Sequence, residues 1–181
     1  MAADPTPLRP RSKSAAKAKP GPTPDKPGSL PSNLRLWRIS AWPGISGIGG
    51  HHSDGRWHSR PRSVLYAAEH PALAALEVMA HMRLTADNIP VTLKLIALDI
   101  AAGASISAGP QLPSGWQANE PTTQAIGNRW LDSGEALLLP LPSALLAHSR
   151  NYIINTRHAE AATHLGEALI EPFWFDKRHL R

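Results

Sequence analysis

The sequence predicts an α+β fold, and three observations support this class. Short apolar segments typical of strands recur along the chain, one strong helix signal lies among them, and no regular βαβ alternation or internal repeat is present. The 181 residues include 18 prolines and 13 glycines, which argues for many loops rather than a helical bundle. We therefore expect one domain of small mixed or antiparallel sheets with a few helices.

The first 32 residues differ in composition from the remainder of the chain. They are dominated by Pro, Ala, Ser, Lys and Gly and have almost no large apolar side chains, so they cannot bury enough surface to offset the entropy of ordering. The sequence therefore predicts a disordered basic tail over residues 1–32 and a folded domain over residues 33–181. The tail is either a solvated leader or a weak anchor on nucleic acid or another acidic surface.

Six strands and one clear helix are predicted in the domain. Pro71 opens the helix, which runs to about Arg83. Glycines in the segment 44–58 predict a loop, and the segment 101–127 is expected to be mostly loop apart from a short helix from Thr122. The predicted strands lie near residues 34–39, 63–68, 91–100, 136–141, 152–154 and 173–175.

Composition also excludes several classes of protein. The chain has no cysteine, which excludes disulfides and thiolate chemistry. It has neither an apolar run of about 18 residues nor the apolar core of a secretory signal, so we expect a soluble, intracellular protein with no membrane segment. Indole rings bury large areas. We therefore expect all six tryptophans in the core or in cleft walls: Trp37, Trp42, Trp57, Trp116, Trp130 and Trp174.

Glu77 is the first candidate for chemistry, because it is a carboxylate within an apolar helical segment. Leu73, Ala74 and Ala80 lie three or four positions away on the same side of the helix. If that side is packed, Glu77 lies at its edge or in a cleft. The alternative is a surface glutamate paired with His81, one helical turn later.

Two arginines are candidates for binding an anion. Arg38 lies within an apolar strand, where it either meets an anionic partner or lies on the exposed face. Arg56 follows a glycine-rich loop, where its guanidinium could bind a phosphate with two hydrogen bonds or form a salt bridge with Asp54.

Familiar catalytic and metal-binding motifs are absent from the sequence. The nine histidines show no zinc-site spacing, so we expect no metal. There is no Gly-x-Ser-x-Gly elbow, no phosphate-binding Walker loop and no dinucleotide-binding fingerprint. The residues by themselves predict only an anion-binding cleft.

A series of motifs resembles the RES domain, the toxin half of bacterial RES–Xre toxin–antitoxin pairs. The resemblance extends from about Leu34 to the C-terminus. The matching segments, in order, are 36–39, 55–59, 64–69, 73–78, 112–116, 126–131, 141–144, 151–155 and 175–176. The family commonly has Gly-Gly-Arg-Trp-Asn where this chain has Asp54-Gly55-Arg56-Trp57-His58.

The resemblance implies an ADP-ribosyltransferase-like fold around a cleft for NAD+, which would be the substrate. The arginine, glutamate and serine of the family name fall on Arg38, Glu77 and Ser143, and an aromatic residue falls on Tyr66. Glu77 would stabilise the cation formed when the nicotinamide–ribose bond breaks, as carboxylates do in glycoside cleavage. Tyr66 would stack on nicotinamide, and Ser143 would donate a hydrogen bond in the pocket.

The family's pattern assigns the remaining roles and partners. Arg38 and Arg56 would bind the pyrophosphate of NAD+. The toxin would act in the cytoplasm, arrest growth unless an Xre-type antitoxin neutralises it, and meet nucleic acid only through that antitoxin. Water, phosphate or a protein side chain could accept the ADP-ribosyl group. The alternatives are a protein ADP-ribosyltransferase and a non-catalytic module that binds a nucleotide or nucleic acid.

Overall fold

The computed structural model describes residues 27–85, 87–176 and 178, so most of the predicted tail lies outside the described residues. The strands are β1 (Gly28–Ser29), β2 (Leu34–Ser40), β3 (Val64–Ala68), β4 (Lys94–Ile100), β5 (Ser105–Ile106), β6 (Leu138–Pro142), β7 (Arg150–Asn155) and β8 (Leu165–Pro172). The helices are α1 (Pro71–Met82), α2 (Glu120–Ser133) and the short α3 (Ala161–His164), with 3-10 turns at Ile48–His51 and Trp116–Ala118. The α+β class is confirmed.

All eight strands belong to one mixed sheet, where several small sheets were expected. Their order is β1-β5-β6-β7-β3-β2-β4-β8, and only β5 and β6 pair in parallel. The sheet has two halves, because β2 and β3 share the single residue pair Trp37↔Ala68, whereas β2 pairs with β4 along its whole length and β3 does so with β7. This narrow junction lies beside the N-terminus of α1.

Helix α1 begins and ends where the sequence predicts. The His70 imidazole accepts a hydrogen bond from the backbone N–H of Ala72, Pro71 occupies the first turn, and Arg83 ends the helix in the left-handed conformation with φ 49°.

Within the described part of the chain, no helix has the length and apolar character needed to cross a membrane.

The core consists of three clusters of buried side chains. Strand residues such as Leu36, Leu98 and Ile154 dominate the largest cluster. The second joins α2 to the sheet through Trp57, Trp116 and Trp130. The third packs α1 against β2 and β3, with members Ile39, Ala68, Leu73, Ala74, Leu93 and Phe175. Helix α2 therefore covers β3, β6 and β7 in one half of the sheet, whereas α1 lies over the junction of β2 and β3.

Several sequence expectations were wrong. Helix α2 starts at Glu120 and has 14 residues, so it is longer than expected in a segment taken to be mostly loop; Asn119 caps it and Gly134 ends it. The segment 173–175 is not a strand, and β8 immediately before it was missed because almost all of its residues are exposed and show no apolar alternation. Regular structure also begins at Gly28, upstream of the predicted start at residue 33.

Tryptophan burial was predicted only in part. Trp57, Trp116 and Trp130 are buried, and Trp37 is half-buried against the third cluster. Trp42 and Trp174 are instead 79% and 76% exposed, so neither lies in the core. Both follow strand ends, where the chain leaves the sheet and offers little surface on which to pack an indole ring.

Candidate functional site

Glu77 lies at the edge of the packed face of α1, as its spacing predicts. Leu73 and Ala74 on the preceding turn are buried, whereas Ala80 on the following turn is exposed. The Glu77 carboxylate therefore leaves the core where α1 passes the end of the β6–β7 hairpin. No hydrogen bond or ion pair joins it to His81, so the alternative of a surface pair was wrong.

Two side chains from the β6–β7 hairpin bind one oxygen of the Glu77 carboxylate. Ser143 Oγ donates a hydrogen bond to Glu77 Oε1 at 2.8 Å. Asn151 Nδ2 donates to the same oxygen at 2.5 Å. No described residue binds Oε2 of Glu77. We call Glu77, Ser143 and Asn151 the Glu77 corner.

The hairpin loop holds Ser143 in place. Its side chain is buried, and its Oγ accepts hydrogen bonds from the backbone N–H groups of Leu145 and Leu146, at 3.1 Å each. Its own backbone N–H donates to the carbonyl of Ser149 at 2.9 Å, which closes the loop. The hydroxyl therefore has one direction left for its proton, and this direction is towards Glu77.

Tyr66 lies in the middle of β3 beneath a tight turn formed by residues 55–58. Its hydroxyl accepts a hydrogen bond from the backbone N–H of Trp57 at 3.0 Å and lies 2.8 Å from Nδ1 of His58. A Cβ added to Gly55 would stand 2.7 Å from this hydroxyl, so only glycine fits there. Burial raises the pKa of Tyr66 above its ordinary value of 10.0, so the phenol stays protonated.

His58 is buried beside Tyr66. Burial lowers its pKa, although the backbone of Gly50 and Ser53 and the charge of Asp54 act to raise it. The ring shares a hydrogen bond with the Tyr66 hydroxyl through Nδ1, and its Nε2 is buried without a partner at hydrogen-bonding distance among the described residues. His58 thus holds the Tyr66 hydroxyl in place.

Arg56 projects from the same turn and does not pair with Asp54. Its guanidinium donates to the backbone carbonyl of Gln117 at 2.8 Å, and its positive charge favours the ionised form of the neighbouring Tyr66. Asp54 instead binds Arg60 through the backbone N–H at 2.8 Å and the side chain at 3.3 Å. Of the two alternatives for Arg56, the salt bridge with Asp54 is therefore not formed.

Arg38 is half-buried and bound to its own loop. Its guanidinium donates to the backbone carbonyl of Gly44 at 3.0 Å, and Gly44 in turn donates its N–H to Glu167 Oε1 at 2.6 Å. Burial lowers the pKa of Arg38 and the Glu167 charge raises it, but an arginine side chain stays charged at any physiological pH. Arg38 thus has a carboxylate near it without a direct ion pair among the described residues.

A hydrogen bond joins two of the four predicted catalytic residues, Glu77 and Ser143. Tyr66 and Arg56 adjoin one another at the turn, and Arg38 lies on the other half of the sheet. No hydrogen bond in the described part of the chain joins either arginine to the Glu77 corner. Nor do three or more His, Asp or Glu side chains gather among the described residues as a metal site would require.

A surface cleft of about 630 Å³ lies at the opposite end of β3 and β7, and none of the predicted site residues lines it. Ser63 and Asn155 contribute to this cleft, whereas Asn151 belongs to the Glu77 corner. Four residues of strand, or about 13 Å, separate the two ends. The cleft is therefore distinct from the Glu77 corner.

Asn151 is the member of the Glu77 corner to which the sequence assigned no role. The segment 151–155 was identified as a motif and a strand, but nothing in it points to a contact with α1. The signal that could have revealed it is positional, because a polar amide at the start of an otherwise buried strand requires a polar partner.

Comparison with known proteins identifies the family. The RES domain model matches residues 35–176. The chain is 41% identical over 143 residues to the toxin Res of Pseudomonas putida, covering 79% of this chain and 97% of that protein. It is 32% identical over 124 residues to the Prs ADP-ribosylating toxin of a Sphingobium species, covering 65% of this chain and 75% of that protein.

A solved structure shares the fold. A chain in the crystal structure of the M. tuberculosis MbcT–MbcA toxin–antitoxin complex matches with a TM-score of 0.62 and 14% identity, covering 81% of this chain and 87% of that one. At this identity the match shows the fold alone. The family model and the 41% identical relative show more: this chain belongs to the RES domain family of toxins.

Proposed function

We propose that this protein is the toxin of a toxin–antitoxin pair and that it cleaves the nicotinamide–ribose bond of NAD+. The observation that supports the proposal is the hydrogen bonding of the two carboxylate oxygens of Glu77. One carboxylate oxygen is held by Ser143 and Asn151, while no described residue binds the other. A fixed carboxylate with a free oxygen suits the stabilisation of a cationic sugar.

The proposed reaction breaks the bond between ribose C1 and the pyridinium nitrogen of NAD+. The electron pair of that bond leaves with nicotinamide, and the ribose becomes oxocarbenium-like. The negative charge of Glu77 stabilises this cation and its free oxygen accepts a hydrogen bond from a ribose hydroxyl. Water then bonds to C1 and releases a proton, which gives ADP-ribose; phosphate as the acceptor gives ADP-ribose 1-phosphate.

The other predicted residues would bind and orient the substrate. Arg38 and Arg56 each bond to a backbone carbonyl of a loop, so each retains further N–H donors for the pyrophosphate. The hydroxyl of Tyr66 is occupied by the 55–58 turn, which leaves the half-buried ring for stacking on nicotinamide. Ser143 acts through Glu77 rather than on the substrate directly.

An Xre-type antitoxin that covers the site in the cytoplasm completes the proposal. Its support is the family and the shared fold with a chain of a toxin–antitoxin complex. In this arrangement the antitoxin, not the toxin, contacts nucleic acid.

A protein ADP-ribosyltransferase is the second candidate, because one relative is named a Prs ADP-ribosylating toxin. This activity would use the same donor site, and only the nucleophile that attacks C1 would differ. A protein side chain would then replace water or phosphate.

The deciding experiment follows NAD+ consumption by purified protein with and without phosphate, identifies the products, and includes radiolabelled NAD+ with a cell extract. We expect wild type to release nicotinamide and Glu77→Gln to be roughly 100- to 1,000-fold slower. Glutamine retains an oxygen for Ser143 and Asn151, so the variant keeps its fold. Glu135→Gln is the matched control, because Glu135 binds Ser107 away from the site.

The products separate the candidates. Free ADP-ribose or its phosphate supports NAD+ degradation, whereas label on a protein supports transfer. Intact NAD+ and unlabelled protein under all conditions would overturn both and leave the non-catalytic binding module.

A further inference from the structure

The start of β7 places Asn151 where α1 can reach it. Asn151 pairs with Ala68 on β3 and with Leu141 on β6, so its side chain lies on the same sheet face as theirs. Ala68 is buried in the cluster beneath α1. Because the Ala68 side chain is only a methyl group, α1 can lie close enough for Glu77 to span the gap to β7.

Both donors in the Glu77 corner bind the same oxygen. Ser143 and Asn151 reach Glu77 Oε1 from successive segments of one hairpin, at 2.8 and 2.5 Å. Two bonds to one oxygen fix the rotation of the carboxylate about its last bond, which is otherwise a broad torsion. They also determine which oxygen stays free.

The chemistry requires an amide at position 151. An asparagine donates from Nδ2 without adding charge, whereas an aspartate of the same shape could only accept while ionised. Two carboxylates at hydrogen-bonding distance cannot both ionise without repulsion. An asparagine at position 151 therefore orients the Glu77 carboxylate by donating to it, which an ionised aspartate could not do.

We propose that Asn151 is a positioning residue for Glu77, holding Oε1 together with Ser143 so that Oε2 alone meets the ribose of the substrate. This inference rests on the proposed NAD+ cleavage. Asn151 does not contact the substrate in this proposal. Its substitution should therefore change the rate of the chemical step rather than substrate binding.

The test compares Asn151→Ala and Asn151→Asp with wild type in NAD+ consumption across pH. We expect Asn151→Ala to lower kcat roughly 10- to 100-fold with KM within about threefold. Asn151→Asp should be slower still, and its rate should fall on the acidic side at a pH where wild type is unaffected, since the second carboxylate favours protonation of the pair. Asn128→Ala is the matched control, because the Asn128 amide donates to Ser59 at 2.8 Å, away from Glu77.

A second readout does not depend on the reaction. The side-chain amide signals of Asn151 in an NMR spectrum of the full chain should differ between wild type and Glu77→Gln, because the substitution removes the negative charge from the group to which Nδ2 donates. Wild-type kinetics in Asn151→Ala would overturn the inference. So would Asn151 amide signals that are the same in wild type and in Glu77→Gln. Failure of wild type to consume NAD+ would instead overturn the proposed reaction, and the NMR result would then decide the inference by itself.

Discussion

The Glu77 corner and the two arginine loops hold their charged groups in different ways. Glu77 is fixed by side chains that project from a hairpin of the sheet, Ser143 and Asn151. Arg38 and Arg56 are instead bound to backbone carbonyls, that of Gly44 in the loop after β2 and that of Gln117 in the 3-10 turn Trp116–Ala118. We call these two backbone segments, with the arginines bound to them, the arginine loops. Glu77 is therefore held by side chains of a sheet hairpin, whereas the two arginines are held by backbone carbonyls outside the sheet, although Arg38 itself lies on β2.

If NAD+ is the substrate, as proposed, the Glu77 corner and the arginine loops would meet it in different ways. The free oxygen of Glu77 needs no rearrangement to accept a hydrogen bond, so the acid is organised before binding. Each arginine can redirect its donors from a neutral carbonyl to a doubly charged pyrophosphate, which is the stronger acceptor. We therefore expect changes at the arginine loops to alter KM and changes at the Glu77 corner to alter kcat.

Arg38→Ala gives the largest effect expected in the arginine loops. Loss of a charge-assisted bond to the pyrophosphate should raise the KM for NAD+ roughly 10- to 100-fold, with a smaller change in kcat. Steady-state kinetics at fixed ionic strength measure this. Arg35→Ala is the control, since Arg35 lies on the same strand but is paired with Asp99 at 2.7 Å and exposed. Equal effects of the two substitutions would rule out a specific role for Arg38.

Ser143→Ala should lower kcat about tenfold and leave KM nearly unchanged, because the carboxylate keeps its bond to Asn151. Ser133→Ala removes a hydroxyl that donates at 2.8 Å within α2 and should retain wild-type rates. If Ser143→Ala changed KM but not kcat, it would contradict the expectation that the Glu77 corner affects kcat and the arginine loops affect KM.

Glu167→Gln should modestly strengthen the binding of NAD+. It removes a negative charge near Arg38 and keeps an oxygen for the Gly44 N–H, so the KM for NAD+ should fall about threefold at low salt, and less at high salt. Glu171→Gln changes an exposed glutamate on the same strand and serves as the control. A KM that rises in Glu167→Gln would show that the loop needs this charge.

His58→Asn is expected to have the smallest effect, which appears in stability rather than in rate. In the folded protein the pKa of His58 lies below its ordinary value of 6.5. As the pH falls below about 6.5, the unfolded chain therefore binds more protons than the folded one, and wild type loses stability. Asparagine does not titrate. The fall in Tm between about pH 7.5 and about pH 5.5 should therefore be shallower in the variant, as thermal unfolding would reveal. If Tm falls with pH as steeply in His58→Asn as in wild type, groups other than His58 cause the loss of stability in acid.

The sequence predicted the fold best where a local pattern was strong. The alternation of β2 and the Pro71 start of α1 have local causes, and the i+3 and i+4 neighbours of Glu77 were enough to place it at the edge of a packed face. Strand β8 was missed because its exposed side chains leave no such pattern, and it is specified by pairing with β4. Asn151 was assigned no role for a similar reason, since its partner lies 74 positions away.

The junction of the two half-sheets also has a consequence for local stability. A single residue pair, Trp37↔Ala68, connects β2 to β3, so this seam has far fewer ladder hydrogen bonds than the pairings on either side of it. Amide protons along the seam should exchange with deuterated water before those within β2–β4 or β3–β7, because opening there breaks fewer bonds than separating either of those pairs. The two half-sheets would then part from one another while each keeps its own ladder, and a ligand contacting both half-sheets would slow that exchange.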